Sequence, residues 1–143
     1  MKPFCIGIGD RSPGVRYEAE EKRKDMPPEH IWVYFTPEEV KGLDQELCAM
    51  LDRSRGIAAT PFTITSGLRT PEQNEQTPNA VYDSAHLSGH AVDLAVEGST
   101  ERFQIVKALL AVGFTRIGIY AAHIHCDNSA VLPPNVLWYV GAA

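Results

Sequence analysis

The sequence predicts an α+β domain, a small and mostly antiparallel sheet with helices packed on one face. Three observations carry that prediction. Short apolar runs at 90–96, 117–120, 122–127 and 136–140 are of strand length, and two of them alternate clearly at the period of two that a strand needs. Two longer segments, at 37–54 and 99–112, repeat apolar residues at helical spacing behind capping residues. Glycine and proline punctuate the joints between them, and the sequence carries no internal repeat and no low-complexity segment.

Taken in order, residues 1–35 are the least specified part of the chain. Phe4, Ile6 and Ile8 alternate as a short strand would, and Arg16 to Asp25 is a charge run expected to be a solvated helix or loop. Pro27 and Pro28 end it, and Ile31 to Phe35 reads as a strand or a buried linker. His30 is assigned no role. Thr36-Pro37-Glu38-Glu39 is a helix start: Thr caps, Pro suits the first position, and the acids suit the positive end of the dipole. Val40, Leu43, Leu47, Met50 and Leu51 continue it to about 54, with a stop near Gly56. Pro61 to Ser66 reads as a strand, and Thr70-Pro71-Glu72 opens a short helix to about 76. An irregular loop, 77–88, leads into the strand His90–Val96. There Val92 and Leu94 share one face, and Ala91, Asp93 and Ala95 share the other. Ser99 opens a helix with Phe103, Val106 and Leu110 as its stripe, closed by Gly113. Two strands or a hairpin follow at 117–120 and 122–127. Pro133-Pro134 precedes a last strand, Val136–Val140.

The 143 residues, 44% hydrophobic and 22% charged, suit one domain able to bury a core without disulfides. A formal charge of -5 provides no basic stripe, so nucleic acid is not an expected partner. No stretch reaches the roughly 18 apolar residues of a membrane span. Three cysteines, Cys5, Cys48 and Cys126, with no Cys-x-x-Cys pair, form neither a disulfide framework nor a thiolate metal site. The start of the chain is too broken for a signal segment, so the protein is expected to be cytoplasmic until released.

The chemistry collects in two runs, Asp83 to Asp93 and His123 to Asp127. They offer two imidazoles and a carboxylate for one zinc ion, with an imidazole to spare. A catalytic zinc takes three protein ligands and leaves a fourth place for water. His86 closes the loop, Asp93 points from the open face of its strand, and His125 suits the third place. His123, two residues back on the same face, is near enough for proton transfer or polarisation. Asp127 shares that face and can orient a ligand from behind. His90 has the parity of Val92 and reads as structural. Cys126 points to the apolar side.

Read together, Ser84-x-His86-x-x-Gly89-x-Ala91-x-Asp93 and His123-x-His125 resemble the zinc peptidoglycan peptidases. These include D-alanyl-D-alanine carboxypeptidases and dipeptidases, phage L-alanyl-D-glutamate endopeptidase endolysins and the penicillin-insensitive murein endopeptidase. Lysostaphin-type enzymes and the hedgehog domain share that fold core. Ser66-Gly67-Leu68-Arg69-Thr70-Pro71-Glu72-Gln73-Asn74 is similar to the family's upstream Ser-Gly-Tyr-Arg-Ser motif, so the resemblance covers Phe62 to Asp127. It implies His86, Asp93 and His125 as zinc ligands and a peptidoglycan stem peptide as substrate. It implies that Arg69 binds a substrate carboxylate or the oxyanion, where the plain alternative is an ion pair with Glu72. It implies that Ser84 bonds the substrate or braces the loop.

Many carboxypeptidase members carry an acidic base three residues before the third ligand, where this chain has Ala122. The His-x-His form is similar to the murein endopeptidase and hedgehog branches. His123 is therefore assigned the base or oxyanion role, with Asp127 in reserve. The expected activity is endolysin-like hydrolysis of a D-amino-acid-containing peptide bond. A D-Ala-D-Ala dipeptidase or carboxypeptidase, and a non-catalytic zinc-stabilised binding module, are the alternatives.

Overall fold

In the computed structural model, residues 32–141 are described. The expected strand at 4–8, the charge run at 16–25, Cys5 and His30 lie outside them.

The first helix, α1, is Gln45–Ala58 rather than 37–54. The cap at Thr36 forms as expected: its backbone N–H and hydroxyl both reach the Glu39 carboxylate, and Glu39 N–H returns to the Thr36 hydroxyl. That turn does not propagate, because Gly42 takes a φ of +79° and breaks the helical path. Asp44 then restarts it, accepting from Leu47 N–H at 3.0 Å. Gly56 does not stop the helix; the chain ends it at Ala59 in the left-handed region. Val33 and Tyr34 donate their backbone N–H groups to buried Asp52 on α1, which seats Phe35 in the core. The described residues 32–35 thus form a linker rather than a strand, half-buried except for buried Phe35.

Five strands follow the order β1-β2-β4-β3-β5. They are β1 (Ile64–Ser66), β2 (Ala91–Ala95), β3 (Arg116–Ile119), β4 (His123–Asp127) and β5 (Val136–Tyr139). Three pairings are antiparallel and β3–β5 is parallel, so the sheet is mixed. Between β1 and β2 lie a short helix α2 (Pro71–Gln76), with the capping box of Thr70 and Gln73, and a 3-10 turn, Ala85–Ser88. Helix α3 is Ser99–Val112, closed by Gly113 as its sequence indicates. No described helix is long and apolar enough to cross a membrane.

Helices α1 and α3 cover one face of the sheet, burying Leu47, Leu51, Ile105 and Leu109 against Val92, Leu94, Ile117 and Ile124. The stripe of α3 differs from the one expected. Ile105, Ala108 and Leu109 are buried, while Phe103 and Leu110 are 65% and 56% exposed. Apolar residues occupy most of the circumference of this helix, so more than one stripe satisfies the spacing. Packing against α1 selects between them. Both Cys48 and Cys126 are core residues, and burial pushes the Cys48 thiol up to about 11 and raises the Cys126 thiol too.

Candidate metal centre

The face of the sheet away from the helices carries the conspicuous residues, and strand register puts them together. Asp93 pairs with His125, Ala95 with His123 and Ala91 with Asp127 across β2 and β4. On the other side of β4, His125 pairs with Gly118 and Asp127 with Arg116. Directly paired residues hold their Cβ atoms about 4.5–5.5 Å apart. Register alone therefore brings Asp93 and His125 within reach of one ion.

His86 arrives from the 3-10 turn. Ser84 caps that turn, its hydroxyl accepting from His86 N–H at 3.2 Å. Gly89 closes it with a φ of +78°, and a Cβ there would stand 2.4 Å from the Gly42 carbonyl oxygen. A carbonyl from a distant segment fixes the His86 ring: Nδ1 lies 2.7 Å from the Gly67 carbonyl oxygen. A carbonyl only accepts, so Nδ1 carries the hydrogen and the neutral ring leaves Nε2 as a lone pair. That Nε2 is buried and has no hydrogen-bond partner. It faces Asp93 Oδ1 at 3.3 Å.

His125 Nδ1 lies 3.1 Å from the same Oδ1, and its Nε2 lies 2.8 Å from Asp127 Oδ2. The donor atoms of His86, Asp93 and His125 all fall within 4.8 Å of one another. Ligands at roughly 2.0–2.2 Å around a tetrahedral zinc sit about 3.4 Å apart, close to the 3.3 and 3.1 Å that separate the two imidazoles from Asp93 Oδ1. Two imidazole nitrogens and a carboxylate, once deprotonated, form a donor set suited to zinc. A buried imidazole nitrogen facing a carboxylate needs a proton or a metal cation between them, and these three residues fit one metal ion.

Charge follows from the geometry. Burial would raise the Asp93 carboxyl, but the imidazoles of His125 and His86 outweigh it and hold it far below the usual carboxylate range. Burial would lower His125, yet its bonds to Asp127 and Asp93 raise it instead. Without a metal, both its nitrogens face acceptors, so the ring holds a proton that a metal must displace. Zinc affinity should therefore fall as pH drops through the raised pKa of His125. Calorimetry in buffers of different ionisation enthalpy should show net proton release on binding.

Both Asp93 and Asp127 are held from behind. Each guanidinium nitrogen of Arg69 has a partner: Nε to Ser66 Oγ, Nη1 to buried Asn74, and Nη2 to Asp93 Oδ2, all at 3.2 Å. Arg69 thus pairs with Asp93, not Glu72. Asp127 is 1% exposed and accepts from His125 Nε2, Arg116 Nε at 2.8 Å and Ser129 N–H. Burial would raise its carboxyl, but these partners together lower it. A carboxylate on the far nitrogen of a ligating imidazole fixes its tautomer and raises its basicity. Asp127→Asn should therefore weaken zinc binding about 10- to 100-fold, read by competition with a chromophoric chelator.

These groups line a cleft of about 580 Å³. His123, half-buried, stacks on Tyr120 with ring centroids 4.3 Å apart, and its Nε2 lies 3.9 Å from Asp93 Oδ2. Burial lowers its pKa, and the charges of His125, His86 and Arg69 add to that against the pull of Asp93. Trp138, from β5, lies beside His125 with ring centroids 5.3 Å apart and donates its indole N–H to Tyr120 Oη. It reaches there because Gly118 has no side chain; a Cβ would meet the indole at 2.4 Å. Gly118→Ala should displace Trp138 and cost about 1–3 kcal/mol, seen as a lower melting temperature and altered tryptophan fluorescence.

His90 stays outside the site, with Nδ1 2.9 Å from Ser88 Oγ and Nε2 3.6 Å from Asp44. Arg116, Tyr120, Trp138 and the anchoring role of Asn74 were not visible in sequence. One signal could have exposed Arg116: it shares the parity of Gly118 and Tyr120, opposite Ile117 and Ile119. No comparable signal exists for Trp138, whose place depends on the parallel register of β5.

The fold matches the crystal structure of the Serratia marcescens L-Ala D-Glu endopeptidase ChiX with a TM-score of 0.54 and 19% sequence identity. The match covers 64% of this chain and 84% of that one, and it is a likeness of fold. No curated protein matches the sequence. The family model described as peptidase M15 matches residues 28–127, well over half the chain. That span holds both strands of the centre, the turn that delivers His86 and the arginines behind it, and on that match the chain belongs to the peptidase M15 family.

Proposed function

We propose that this chain is a zinc-dependent peptidase that hydrolyses a D-amino-acid-containing peptide bond of bacterial peptidoglycan, in the manner of an endolysin. The observation that carries this is the buried, unpartnered Nε2 of His86, turned toward Asp93 Oδ1 beside His125 Nδ1 at the cleft. The M15 family supplies the reaction class. The activity named for the Serratia enzyme supports the substrate class.

His86, Asp93 and His125 would hold the ion. Bound zinc supplies Lewis acidity toward a carbonyl oxygen and acidifies water near neutral pH. The protein's own groups do the rest. His123, its pKa lowered, is neutral near pH 7 and can take the proton of the attacking water and return it to the leaving amine. Arg69 keeps Asp93 ionised and in place, and its remaining N–H groups can meet the developing oxyanion or a substrate carboxylate. Asp127, enclosed by three donors, serves by fixing His125 rather than as a reserve base. The Tyr120 and Trp138 rings flank the imidazoles and limit their motion.

The test is digestion of purified sacculi by metal-stripped protein with and without one equivalent of zinc, followed by mass spectrometry. New amino termini at one bond adjoining a D residue, appearing only with zinc, are expected. Release of terminal D-Ala alone would make the protein a carboxypeptidase. No peptide cleavage with zinc stoichiometrically bound would reduce it to a binding module.

A further inference from the structure

Arg116 does more than hold Asp127. Its Nε donates to Asp127 Oδ1 and its Nη1 to the Pro133 carbonyl, but Nη2 has no partner among the described residues. That nitrogen is not sealed in protein: it is absent from the buried orphaned atoms, and the side chain, 13% exposed, lines the cleft. Arg69 differs in degree: each of its guanidinium nitrogens already makes one bond, leaving a single N–H on each Nη, whereas Arg116 Nη2 keeps both. The Arg116 guanidinium also lies over the Trp138 ring at 5.5 Å, which restrains its plane.

The charges of the cleft agree. Arg69 and Arg116 balance Asp93 and Asp127, the charged residues that line it, and a divalent ion would leave it positive. The chain as a whole is negative, at -5. With that ion bound, a positive cleft on an acidic protein would favour an anionic ligand. Arg116 is two positions along β3 from Gly118, which pairs with His125, a step of about 7 Å. An extended peptide covers that in about two residues.

We propose that Arg116 is a specificity residue whose free Nη2 edge binds a carboxylate of the stem peptide within about two residues of the scissile amide. Acidic stem peptides are then cut in preference to amidated ones. This rests on the peptidoglycan peptidase reading above.

The experiment uses synthetic stem-peptide pairs identical except for one group: D-Glu against D-isoglutamine, meso-diaminopimelate against its amide, and a terminal D-Ala carboxylate against its amide. Wild-type, Arg116→Lys and Arg116→Gln proteins are compared by kcat/KM on every pair. Because Arg116 also holds Asp127, all rates fall in the variants, so the acid-to-amide ratio is the readout. A charge-assisted hydrogen bond predicts a wild-type ratio of about 10- to 100-fold for one pair, collapsing toward one in Arg116→Gln. The same preference should appear in calorimetric binding of that pair to metal-stripped wild-type protein, where no turnover intervenes. Equal use of acid and amide in all pairs, or a ratio unchanged in Arg116→Gln, would overturn the proposal and leave the peptidase reading standing. Cleavage of no peptide by zinc-loaded wild type would overturn both.

Discussion

Asp93→Asn is expected to empty the site of zinc and to lower peptidase activity by about a thousandfold or more. Asp93 Oδ1 is the point both imidazoles approach, at 3.3 and 3.1 Å, so no other ligand can be removed with as much effect on the rest. The amide keeps the shape but loses the charge that the imidazoles and Arg69 face. Lewis-acid activation is worth several kcal/mol, and each 1.36 kcal/mol is tenfold in rate, which gives the three decades. Stability should fall too. Arg69 and Asp93 have side chains 12% and 9% exposed, and removing one partner of a buried pair typically costs about 3–5 kcal/mol. Elemental analysis, turnover and a urea melt of the same sample check all three. A variant that still holds one equivalent of zinc would remove Asp93 from the ligand set.

His123→Ala should separate chemistry from metal binding. His123 lies on the cleft beside Asp93 Oδ2 at 3.9 Å but outside the set of donors that converge. Zinc content should stay at one equivalent while kcat falls by about 10²- to 10⁴-fold, the range for a lost general acid–base group. KM should change little, because Tyr120 and Trp138 keep the wall of the cleft in place. Full activity in His123→Ala would end its assignment as proton carrier without touching the family. Loss of zinc would instead make His123 a fourth ligand.

Much of this centre was legible in the chain. Alternation in His90–Val96 and Ala122–Asp127 gave the faces, so Asp93, His123, His125 and Asp127 could be placed together and Val92, Leu94 and Cys126 sent to the core. The helix starts were less secure. Thr36 and Glu39 make the cap their sequence announces, yet three residues on Gly42 turns the backbone away. Local capping chemistry does not contain that information. Nor does spacing choose among stripes on α3, where apolar residues run most of the way round.

Residue order and periodicity, acting within a few positions, determined which side chains share a strand face and which turn carries His86. Only the tertiary structure decided what stands behind them. The parallel seating of β5 brings Trp138 over Gly118, and the pairing of β3 with β4 sets Arg116 against Asp127. The return of the segment around Gly67 aims Nε2 of His86 at Asp93. These contacts join residues 11 to 20 positions apart or more, across register and burial that no local pattern encodes.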